Sequence, residues 1–136
     1  MTSFIQKNLL STVMLFSFQS YAASTSCLVK KEKETDMSIH SIKWNTTSKQ
    51  ASLIDEAGEM HKGTVTGVRE HEPGIKTNIY IRYNKNDSGI DGAEFIVFPT
   101  SENESRIIGV EYVIEKDQRR LHASLGNHVV ECQTTR

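Results

Sequence analysis

The residues of this chain with the most chemical potential are five histidines, two cysteines and seventeen acids. His40, His61, His71, His122 and His128 form no HxH, HxxH or HExxH set, and no CxxC pair stands near them. Glu70-His71-Glu72 is the densest cluster, but it adjoins Pro73-Gly74 and reads as a solvated turn. Asn84-Lys85-Asn86-Asp87-Ser88-Gly89 carries side-chain oxygens at its first, third and fifth positions and Gly at its sixth, as a calcium loop does. Asn84 stands where that loop needs Asp, however, and Phe95 where it needs a bidentate Glu. It reads as a hairpin loop. No metal and no cofactor are therefore expected.

Nucleophilic chemistry has no better footing. GxSxG is missing, and spacing singles out no Ser or Thr beside a histidine. Glycoside cleavage needs two acids about 5 to 10 Å apart in a cleft, and seventeen acids supply many accidental pairs. Asp55, Glu94 and Glu111 fall within strand patterns and are expected to point outward. Asn45, Asn86 and Asn103 begin Asn-x-Ser/Thr triplets in loops, where turn chemistry accounts for them. The chain is not expected to be an enzyme.

Its location is more legible. Lys7, the apolar run Leu9 to Phe18 and Ser20-Tyr21-Ala22 have the three parts of an export signal, so residues 1–22 read as a signal peptide and 23–136 as the mature domain. The run is about ten residues, short of the roughly twenty that cross a bilayer, and no membrane anchor is expected. Ser24-Thr25-Ser26 before Cys27 is a poor lipidation signal. The style of the signal is bacterial, and the expected location is the periplasm of a Gram-negative cell or the exterior. There Cys27 and Cys132 are expected to form a disulfide.

Without Lys7 the net charge is about −2, with acids and bases interspersed. No basic stripe suggests nucleic acid and no polybasic helix a lipid surface.

These residues must be positioned by strands. Ile75, Thr77, Ile79, Ile81 and Tyr83 alternate with Lys76, Asn78, Tyr80 and Arg82, a period of two. Similar runs span Cys27 to Lys33, Met37 to Trp44, Gln50 to Asp55, Met60 to Arg69, Gly92 to Phe98, Arg106 to Glu115, Arg120 to Leu125 and His128 to Gln133. Turn residues separate them, and Gly126-Asn127 is expected to make a type II′ hairpin pairing Leu125 with His128 and Leu121 with Cys132, which puts Leu121, Ala123, Leu125, Val130 and Cys132 on one apolar face. The expected fold is all-β: a small antiparallel up-and-down meander barrel of about eight strands, with a β-sandwich as the alternative. In a barrel the first and last strands are neighbours, which lets Cys27 latch to Cys132. Phe95, Phe98, Tyr112 and Trp44 are expected mostly to fill the core.

Two function classes follow. One is an exported protein-binding module, most concretely an inhibitor or immunity protein against a cell-wall-acting enzyme or toxin. Small periplasmic lysozyme inhibitors are similar in general architecture, but their sequence signatures are not found here and no residues are carried over. The other is a lipocalin-like carrier of a small apolar ligand. A subunit of a surface assembly is a third, although no donor strand or unpaired edge is evident. For the first class the partner is another periplasmic or secreted protein. Its expected contacts are the loops Asn84 to Asp91, Pro99 to Ser105 and Glu70 to Gly74, placed on one rim. Asn84, Asp87, Asp91, Glu102, Asn103 and Glu104 are the named residues there, with Tyr80 and Arg82 on an outward face.

Overall fold

Alternation of β-branched and polar residues drives the backbone into strands, because only an extended chain sends successive side chains to opposite faces. The computed structural model describes residues 23–31 and 38–135; residues 1–22, on which the expected signal peptide falls, the stretch 32–37 and Arg136 lie outside them. Eight strands result: β1 (Ser24–Val29), β2 (Ile39–Asn45), β3 (Gln50–Asp55), β4 (Met60–His71), β5 (Gly74–Arg82), β6 (Ile90–Pro99), β7 (Ser105–Glu115) and β8 (Gln118–Thr135). Each pairs antiparallel with the next, and β1 pairs with β8, so the sheet closes into a barrel. The described residues contain no helix.

The closing register sets Cys27 directly opposite Cys132. Their sulfurs are bonded, with the α-carbons 4.0 Å apart at a sequence separation of 105. The barrel seam is thus covalent. Such a bond is compatible with an oxidising location.

Side chains fill the interior. Phe95, Ile42, Leu53, Ile79, Ile81 and Ile107 are fully buried, with Trp44 and Val65 nearly so. Thr77, Ile79 and Ile81 take the inward positions that alternation assigns them. Ile75, at the end of the same face, stays exposed. Gly109 makes room for the largest buried ring, since a Cβ there would lie 2.7 Å from two Phe95 carbons.

Four expectations are corrected. Gly126-Asn127 is not a turn: β8 runs unbroken through it for 18 residues. Gly126, at φ 81°, pairs with Gly109 inside a register shift, so its left-handed backbone serves a bulge. The two expected strands are one, and Leu121 pairs with Tyr112 instead of Cys132. Second, Leu121 is exposed and not part of an inner apolar face. Third, Phe98 and Tyr112 sit on the outer wall, because their neighbours Val97 and Gly109 fix the opposite parity; both are only half-buried. Fourth, Asp55 and Glu111 point inward, in step with Leu53 and with Ile107.

Candidate functional site

An up-and-down barrel alternates its connections between two ends, and this sorts the expected contact loops. The connections at 56–59, 83–89 and 116–117 lie at one end, here the upper; those at 46–49, 72–73 and 100–104 lie at the lower. Asn84 and Asp87 are therefore at the opposite end from Glu102, Asn103, Glu104 and the Glu70 to Gly74 turn. The single rim is a correction, and its cause is parity: one strand, an odd number, separates each of these loops from the next. The two lower turns do meet, for a Cβ on Gly74 would lie 2.8 Å from Pro99 Cγ.

The lower loop is held by its own bonds. Thr100 Oγ1 donates to Glu104 Oε2 at 2.7 Å, and Arg106 Nε donates to the same oxygen at 3.4 Å. These bonds hold the Glu104 carboxyl below its ordinary range. Glu102 and Asn103 stay exposed. In the upper loop Asn86 donates to the Asn84 and Ile90 carbonyls at 3.0 and 2.9 Å, and at the lower end Asn45 accepts from the amides of Thr47 and Ser48 at 2.9 Å. Both side chains perform turn chemistry.

The most concentrated group lies on the outer wall. Tyr80 and Arg82 face outward from β5, as the alternation requires. Tyr80 donates its hydroxyl to Asp91 Oδ2 at 2.7 Å. Burial and this carboxylate raise the Tyr80 phenol above its ordinary value. Arg119 spans two rings: its guanidinium carbon is 4.6 Å from the Tyr80 centroid and 5.6 Å from that of Tyr112, within cation–π reach. Asp91 and Glu94 lie 3.8 and 4.0 Å from its nitrogens, and Tyr112 donates to Glu94 at 3.4 Å. Gly92 permits the stack, because a Cβ there would press on the Ile81 carbonyl and the Tyr80 hydroxyl. Beside it a groove of about 510 Å³ is floored by Ile96, Ile108 and Val110 and rimmed by Asn78, Glu94 and Asn127.

A second group closes the upper mouth. His61 is buried; its Nε2 lies 2.9 Å from Asp55 Oδ2, and its Nδ1 accepts the Asn84 amide at 3.0 Å. The amide can only donate, so Nδ1 carries no proton and Nε2–H donates to Asp55. Asp55 also accepts the Glu59 amide at 2.9 Å. These bonds hold the Asp55 carboxyl below its ordinary range, His61 contributing most. Tyr83 packs against His61 with ring centroids 5.2 Å apart and planes tilted by 60°, and burial, then Glu111 and Asp55, push its phenol up. Burial also raises the Glu111 carboxyl, which lines the same cavity of about 250 Å³.

Asp55, Glu59 and His61 place three possible metal-ligating atoms within 4.8 Å of one another. The donor set does not fit a cation. A metal on Nε2 needs that nitrogen deprotonated and a proton on Nδ1, where the Asn84 N–H already points. This group is a hydrogen-bonded cap on the core.

Alternation places His61 on the inward face of β4 with Gly63 and Val65, so its burial was readable from sequence. Arg119, in an expected turn, carried no such signal. No protein-family model, curated protein or solved structure matches the chain significantly.

Proposed function

We propose that the chain is an exported protein-binding module, most concretely an inhibitor or immunity protein for a cell-wall-acting enzyme or toxin, and that its contact face is the outer wall of β5 to β8. One observation carries this reading: the stack of Tyr80, Arg119 and Tyr112 bordered by Asp91 and Glu94. Tyr and Arg are the residues enriched at the energetic centres of protein interfaces. Here they are held in place by mutual contacts on a stiff wall, so little side-chain entropy is left to lose on binding. The groove beside them offers apolar area with a polar rim.

The carrier reading has less support. The barrel's centre is occupied by Phe95 and five aliphatic side chains, and the mouth cavity of about 250 Å³ is below the roughly 300 to 1,000 Å³ of small-molecule pockets.

The test is capture of a partner by the tagged protein from periplasmic extract, followed by assay of cell-wall hydrolases with the protein added. A co-purifying exported protein, or a slowed hydrolase, is the expected result. Neither partner nor inhibition, with a lipid found by native mass spectrometry, overturns the reading in favour of the carrier.

A further inference from the structure

We propose that the outer wall of β2 to β5 is a cationic surface that binds an acidic polypeptide segment. It borders the contact face proposed above at β5 and does not rest on it. The register builds this surface from residues far apart in sequence: Lys43 on β2 pairs with Ser52 on β3, Ser52 with Lys62 on β4, and Lys62 with Arg82 on β5. Three cations therefore lie in one row across the sheet. Further down β4 and β5, Arg69 pairs with Lys76. Paired residues share a face, and here it is the outer one, because the chain neighbours Ile42, His61, Thr77 and Ile81 are buried. Strands β2 to β5 contain two acids, and neither joins this face: Asp55 turns inward, and Glu70 pairs with Ile75 on the opposite side from Arg69.

Like charges directly opposite each other destabilise a sheet, so Lys62 against Arg82 and Arg69 against Lys76 both oppose the fold until an anion lies between them. Elsewhere the barrel pairs its cations: Lys30 meets Glu131 at 2.6 Å, Arg120 meets Glu115 at 3.1 Å, and Arg119 meets Asp91 and Glu94. A net charge of −1 thus conceals a wall of one sign, which attracts anions. Shape and chemistry select the occupant. From Lys43 to Arg82 the row turns through three of the eight steps around the barrel, so its cations diverge and a flat lipid surface meets only part of them at once. A single-stranded nucleic acid needs open rings on which its bases stack, and the outward phenol of these strands, Tyr80, is already covered by Arg119 at 4.6 Å. A flexible chain of carboxylates can follow the curve. Between Lys43 and Lys62 a groove of about 530 Å³, lined by Ser24, Ser48, Ser52 and Gln50, offers it hydroxyl and amide donors.

Titration of the purified protein with fluorescent poly-L-glutamate, at low and at physiological salt, decides the matter. Binding is expected, and it should weaken as salt rises. Lys43→Glu/Lys62→Glu should raise the dissociation constant at least about tenfold. The same variant should melt no lower than wild type, because a carboxylate at position 62 relieves the repulsion of Arg82. Lys30→Glu/Lys116→Glu makes an equal change of net charge away from this wall and should shift the constant less than about threefold at physiological salt. No binding at low salt overturns the proposal, as do equal losses in the two double variants. Tighter binding of an oligothymidine strand or of phosphatidylglycerol vesicles than of polyglutamate overturns it as well. Partner capture through Arg119 is a separate measurement, so this surface and the contact face proposed above can fail independently.

Discussion

The two halves of β8 obey the same backbone rules and meet opposite ends. From Val130 to Thr135 the strand pairs with β1, Val130 is buried and paired with Ser105 of β7 as well, and Cys132 is bonded to Cys27. From Gln118 to His128 it pairs with β7, passes through two register shifts and exposes Leu121. The difference lies in what the side chains can bury. Where the inward positions reach the packed interior, the barrel closes; where the hairpin outruns that interior, it becomes surface, and the Tyr and Arg residues available for contact gather there.

The strongest way to break this contrast is to cut the seam. Replacing Cys27 and Cys132 by Ser, or adding reductant, frees a loop whose closure constrains the unfolded chain by about 4 to 5 kcal/mol. Chemical denaturation should show most of that loss, and an unchanged midpoint would deny the seam its role. Next comes the interior beneath the wall: Phe95→Ala should cost about 3 to 5 kcal/mol, read by the same method.

The mouth offers a subtler comparison, because Asp55 and Glu111 share a cavity and shift in opposite directions. Asp55 is lowered, so its stabilisation is complete above the ordinary carboxylate value near 4 and is lost as pH falls through its folded value. Asp55→Asn should therefore lower Tm at pH 7, with the gap closing below about pH 4. Glu111 is raised, so its ionised form opposes folding above the folded value. Glu111→Gln should raise Tm at pH 7, and that gain should vanish on acidification. Parallel pH profiles for the two variants would contradict the assignment. Smallest of all, Leu121→Ser, at an exposed site, should change stability to chemical denaturation by less than about 0.5 kcal/mol.

Much of the barrel was legible in the sequence because its signals are local. The period of two in Ile75 to Tyr83 fixed a face, and two cysteines at the chain's extremes fixed a seam. Gly126-Asn127 misled for a physical reason: the left-handed Gly conformation that opens a type II′ turn also fits a bulge, and only the pairing of Gly126 with Gly109 separates the two. The contact loops were misassigned to one rim although counting strands would have parted them. Tyr112 and Arg119 lay beyond local reading, since their meeting with Tyr80 depends on which strand neighbours which. Asp55 and Glu111 are expected outward when their strand patterns are read without a fixed phase, whereas parity with Leu53 and Ile107 turns them in.

Capture of the proposed exported partner by three versions of the protein tests most directly whether the outer wall is the working surface. Wild type and the lower-loop double variant Glu102→Lys/Glu104→Lys should retain the partner, and Arg119→Glu should lose it while melting close to wild type. Retention by Arg119→Glu together with loss by the lower-loop variant would contradict the claim and move the contact to the other end of the barrel.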